Sequence, residues 1–200
     1  MLIDFAFIDI PARDHPVAAG RLLAGTAPGR ILGCWSVEIG QLNQLVLARA
    51  HDSAAELGAA RADLAWSDDP FGLAGLLRGY RTEADALPDW FAPILSGRHG
   101  PCYELRIYGV RPGSFPVLDA AWQQKLPRRA RYSPVIMAGV SVEGTPRFAH
   151  LWAYESLAAR QAIRARAQAD GAWPPGAFPG APPPPMQTMI LTPLPGSPLT

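Results

Sequence analysis

Apolar residues alternate with polar or small ones along Leu2 to Ile10, and the same two-residue period returns along Tyr103 to Val110. That is the pattern of a half-buried strand. Each of these segments is followed by a stretch with helical apolar spacing, Pro16 to Ala24 in the first case and Phe115 to Tyr132 in the second. Two strands around a turn come next: Ile31 to Glu38 with Asn43 to Ala50, and Val135 to Glu143 with Arg147 to Ala153. Gly40 and the run Gly144-Thr145-Pro146 supply the turns, because glycine and proline favour backbone angles that a strand does not hold. Asp52-Ser53 and Glu155-Ser156 are suited to cap a helix that starts immediately after them. A last strand, Tyr80 to Ala86 or Gln187 to Leu194, completes each set.

The order β-α-β-β-α-β therefore occurs twice, and each copy predicts a ferredoxin-like α+β unit, an antiparallel sheet with both helices on one face. The copies also match as sequence. Ser36 to Ala62 lies over Ser141 to Ala165 once the first is allowed two extra residues in the turn. Ser-Val-Glu opens both, and Ala50, Ser53, Ala55, Ala59, Arg61 and Ala62 fall on Ala153, Ser156, Ala158, Ala162, Arg164 and Ala165. The expected organisation is a first repeat over 1–98 and a second over 99–200, parted at the run Ser96 to Pro101. Trp173 to Pro185 is too rich in proline for a helix or a central strand. An apolar strand follows it directly, and such a strand on a loose tail would be an aggregation hazard. The segment 173–185 is therefore read as an ordered bypass that returns the chain to the sheet.

With helices on one face of each sheet, the other face has to be solvated or covered. The expectation is that the two open faces pack on each other and close a barrel. Along the third strands Val46, Ala48 and Ala50, with Ala149, Leu151 and Ala153, are small or apolar and suit close helix packing. The alternate set is large and mixed in polarity: Leu45, Leu47, Arg49 and His51, with Phe148, His150, Trp152 and Tyr154. In the opening strands Ile3, Phe5 and Phe7, with Tyr103, Leu105 and Ile107, make the apolar row, leaving Asp4, Glu104, Arg106 and Tyr108 on the other face. The mixed residues are expected to line the lumen as a small-molecule pocket. Its candidates are Glu104, Arg106, Tyr108, His150, Trp152 and Tyr154, with Arg49 and His51 as secondary ones. His150 could act as base, haem ligand or substrate anchor, or be a core histidine bonded to a carboxylate. Glu104 and Arg106 could clamp a carboxylate or phosphate, or form an internal ion pair that sets strand register.

Composition narrows the classes of function. The chain has 18 basic and 17 acidic residues among 200, a net charge of +1, which leaves no broad electrostatic footprint for nucleic acid or anionic lipid. At 48% hydrophobic residues it can build a core. No apolar run reaches the roughly 18 residues of a membrane span, and the opening MLIDFAFIDI lacks the basic flank of a secretory signal. A cytoplasmic setting with no membrane partner is expected. Cys34 and Cys102 have no metal-ligand spacing and read as buried small hydrophobes. His15, His51 and His99 lack an i, i+4 partner and read as surface or turn residues. No nucleophile elbow, P-loop, dinucleotide fingerprint or zincin motif occurs, and neither cofactor nor metal is expected.

The segments YELRIYGVRPGSFPVLDAAW, HLWAYESLAARQAIRARAQ, SVEIGQLNQLVLARAHDSAAE and ILTPLPGSPL together resemble the NIPSNAP family over nearly the whole chain. The resemblance implies tandem domains of the dimeric α-β barrel class, with Glu104, Arg106, Trp152 and Tyr154 at the positions of the family's Glu, Arg and Trp-x-Tyr. The first half departs from that pattern. Asp4 and Ala6 stand for Glu and Arg, and Arg49 and His51 for Trp and Tyr, which implies an inactive or structural first half. The wider class includes cofactor-independent monooxygenases, isomerases and haem enzymes, so three readings stand: a small-molecule binder, an enzyme of monooxygenase or isomerase kind, and an interaction module using its outer surface. A tandem chain can close the barrel within itself, so a homodimer beyond this internal pseudo-dimer would use outer surfaces or edge strands.

Overall fold

The computed structural model describes residues 1–25, 28–176 and 185–200. Part of the proline-rich bypass, 177–184, lies outside the described residues. The elements follow the predicted order: β1 (Leu2–Asp9), α1 (His15–Leu23), β2 (Arg30–Ile39), β3 (Gln44–His51), α2 (Ala54–Trp66), β4 (Gly79–Ala86), β5 (Cys102–Gly109), α3 (Phe115–Arg129), β6 (Val135–Ser141), β7 (Arg147–Tyr154), α4 (Leu157–Ala169) and β8 (Met186–Pro193). Both predicted caps form. Ser53 Oγ accepts the Glu56 N–H at 3.1 Å and Ser156 Oγ the Ala159 N–H at 3.0 Å, satisfying donors that the first helical turn leaves open.

The strands close one antiparallel barrel in the order β1-β3-β2-β8-β5-β7-β6-β4. Each half contributes four neighbouring strands, β4-β1-β3-β2 and β8-β5-β7-β6. The halves are joined where β2 pairs β8 and β4 pairs β6. The two seams differ in length: β4 and β6 share only Asp85↔Ser141 and Ala86↔Val140, whereas β1 and β3 pair along all eight residues.

Which side chains fill the barrel follows from the register, and it reverses the expected faces. Phe5 pairs with Ala48 and Leu105 with Leu151, so the apolar row of each opening strand shares a face with the small row of each third strand. Together with Trp35, Met137, Met189 and Leu191 these residues form one buried cluster inside the barrel. The interior of an eight-stranded barrel is just wide enough to be filled by side chains. Phe5, Phe7 and Tyr103 therefore require Ala48, Ala50, Ala149 and Ala153 opposite and beside them. The large mixed residues point outward instead, where Leu45, Leu47 and Cys34 meet α1, and Phe148, Trp152 and Tyr154 meet Leu118, Trp122 and Leu126 of α3. Cys34 and Cys102 are both free and buried.

Candidate functional site

Glu104, Arg106, Tyr108, His150, Trp152 and Tyr154 come together as the sequence suggests, but they do not line the lumen. They occupy the layer between the outer face of β5 and β7 and the helices α3 and α4. The register makes Glu104 the cross-strand neighbour of Trp152, and Arg106 that of His150.

Glu104 is fully buried and is the hub. Arg160 of α4 donates to Oε1 at 2.5 Å, the Tyr154 hydroxyl to Oε2 at 3.4 Å, and Arg106 and Arg164 stand at 3.7 and 3.6 Å. Arg160 and Arg164 are four residues apart, so both project from one face of α4 onto the sheet. Their side chains are 23% and 37% exposed and that of Arg106 is 13% exposed, which makes this a cationic cluster partly open to solvent over a buried carboxylate. Arg106 makes no hydrogen bond among the described residues, although its Nε is fully buried.

His150 lies beside it in an aromatic box. Tyr108 and Trp122 stand 5.0 and 4.8 Å from its ring, with Phe148 and Trp152 slightly farther off. The Trp152 indole N–H donates to His150 Nδ1 at 2.5 Å, and Nε2 is buried without a partner. Burial, and then the charges of Arg106, Arg164 and Arg129, hold the imidazole well below its usual pKa. The ring is therefore neutral with its acceptor nitrogen already in use, so Nε2 carries the hydrogen. That removes the expected carboxylate partner of His150 and makes its free atom a donor. Arg129, also buried, bonds Ser133 Oγ and the Tyr154 hydroxyl and lies 4.2 Å over the Trp152 ring.

Arg160, Arg164 and Arg129 were not among the sequence candidates. The i, i+4 spacing of the first two, and the match of Arg164 with Arg61, are the signals that mark them. In the first half, Arg49 and His51 also lie beneath the helices. Arg49 is bonded to Asp4 at 2.5 Å, and His51 is buried rather than a surface or turn residue, because β3 carries it under α2. A cavity of about 470 Å³ lies elsewhere. It is lined by Trp90 to Leu95, the end of α3 and the start of β6, and includes none of the candidates. It is apolar and groove-like, so the arginine cluster around Glu104 remains the site with chemical potential.

Among the described residues no group of three or more His, Cys, Asp or Glu side chains could hold a metal ion. None of the described helices is long and apolar enough to cross a membrane.

Comparison with known structures places the whole barrel. A candidate monooxygenase from Lactobacillus acidophilus superposes with a TM-score of 0.66 at 8% identity, over 96% of this chain and 93% of its own. A candidate monooxygenase from Fusobacterium nucleatum gives 0.59 at 8% identity, over 96% and 92%. An anthrone oxidase-like protein gives 0.59 at 14% identity, over 96% and 91%. At these identities the likeness is one of fold. No curated protein matches the chain by sequence. The NIPSNAP family model matches residues 103–198, the half that carries Glu104, Arg106, Trp152 and Tyr154 and not the half where those positions are replaced. The second half of this chain is a NIPSNAP domain.

Proposed function

We propose that the protein binds a small molecule in the layer between β5, β7 and α4, not in the barrel lumen. The observation that carries this is the unspent donor capacity of two cross-strand neighbours, Arg106 and the Nε2–H of His150. Buried donors without acceptors are costly, on the order of 1–3 kcal/mol each and more for a charged group. A ligand that accepts hydrogen bonds would offset that cost. Tyr108 lies beside both, with Arg106 Cζ 5.2 Å from its ring, and offers an apolar surface for the body of the ligand.

The monooxygenase-like reading rests on likeness of fold alone, and the tautomer of His150 weighs against a base at that position. A binder is the better supported role. The test is titration of intrinsic tryptophan fluorescence, since Trp122, Trp152 and Trp173 pack around the site. The panel is small aromatic molecules, both neutral and charged. At least one should bind saturably, and Arg106→Leu should weaken it tenfold or more, about 1.4 kcal/mol. If no member of the panel saturates, or if the variant binds as the parent does, the site is misplaced.

A further inference from the structure

The two halves set the same elements around one buried acid of the opening strand, Asp4 on β1 and Glu104 on β5. In the first half the charges balance. Asp4 meets Arg49 at 2.5 Å and Arg61 at 2.9 Å. A second carboxylate, Glu143 from the turn after β6, closes on Arg61 and accepts the Ala84 N–H at 3.1 Å.

In the second half they do not. Arg106, Arg160 and Arg164 all lie within 4 Å of Glu104, and among the described residues no second acid comes that close to any of them. The sequence match explains why. Ser36-Val37-Glu38 lies over Ser141-Val142-Glu143, so Glu38 is the counterpart of Glu143. Its strand slips register between Val37 and Ile39, and Glu38 is exposed and accepts from Ser36 Oγ at 3.2 Å. A bulge adds a residue to one strand and re-aims the side chains around it. The second acid is thereby turned away from Arg164, while the replacement of Ala6 and Leu57 by Arg106 and Arg160 adds further positive charge to the cluster. Partly buried cations in excess of their counter-ions are unfavourable, and the planar forks of arginine fit a carboxylate.

We propose that the ligand of this arginine cluster is a small organic carboxylate, its charge held by Arg106 and Arg164 as Glu143 is held by Arg61 in the first half. This rests on the cluster being the ligand site and adds the ligand's class. The test compares benzoate, benzamide and phenyl phosphate on the full chain, by calorimetry and tryptophan fluorescence. Benzoate should bind at least about tenfold tighter than benzamide, the size of one charge-assisted interaction. Arg164→Gln, a change at a partly exposed side chain, should remove most of that preference. Raising the salt from 50 to 500 mM should weaken benzoate binding to the parent protein and leave benzamide unaffected. Equal binding of benzamide and benzoate, lost together in Arg106→Leu, would overturn the carboxylate while leaving the site in place. Preference for phenyl phosphate with no benzoate binding would assign the cations to phosphate. Absence of binding by all three would sink both the class and the site.

Discussion

A single buried acid shows how position in the barrel sets chemistry. Asp85 pairs with Ile3 and so faces the lumen, where Gly139 on the neighbouring strand leaves room: a Cβ there would stand 3.0 Å from that of Asp85. Neither carboxyl oxygen has a hydrogen bond, and burial pushes the pKa up to about 7 in spite of Arg147 at 3.8 Å. An acid whose pKa is raised on folding holds its proton more tightly in the native state. Below about pH 4 both states are protonated and Asp85 has no effect; as pH rises to about 7 stability falls, and above that the loss is complete. Asp85→Asn should abolish this fall and stabilise the protein at pH 8 by on the order of a few kcal/mol. Thermal unfolding across pH 4 to 8 measures it. A variant no more stable than the parent at pH 8 would mean that Arg147 already compensates the charge.

At the scale of the element, β2 carries the largest side chain of the lumen on a strand that has to make space for it. The Trp35 ring folds back over Gly33, and a Cβ at that glycine would meet the ring at 2.2 Å. The register of β2 against β3 slips between Ile31 and Gly33, so the strand bends where the indole is stowed. Gly33→Ala should force the indole out of place and cost about 1–3 kcal/mol, the usual range for overpacking a core. Chemical denaturation with tryptophan emission as the probe would show it. An unchanged midpoint would mean that the barrel interior accommodates the methyl group. The glycine is visible in the sequence, but its purpose is not, because the ring that needs it is placed by the closure of the barrel.

For the whole molecule, the two joints between the halves are unequal. The β4–β6 joint has two register pairs and is reinforced by ion pairs, Arg147 with Glu83 at 3.1 Å and Arg61 with Glu143. The β2–β8 joint has four. Amides at the short joint should exchange with solvent faster than those of β1 and β3, since sub-global opening follows the fewest buried contacts. Hydrogen exchange resolved by residue tests this. Uniform protection around the barrel would mean that the ion pairs close the short joint as firmly as backbone bonds close the other.

Element order, both serine caps and the grouping of Glu104, Arg106, His150, Trp152 and Tyr154 on one face were legible from the sequence, because they rest on local periodicity and on a match between two segments of one chain. The face on which that cluster lies was not. Alternation separates two rows of side chains without saying which row is inside, and small residues suit a helix contact and a narrow lumen equally well. Register decided it, by setting Phe5 opposite Ala48 and Leu105 opposite Leu151. The charge of the arginine cluster was likewise a tertiary outcome. Arg160 and Arg164 reach Glu104 only when α4 lies across β5 and β7, and Glu38 fails to balance them only because a bulge in β2 turns it away.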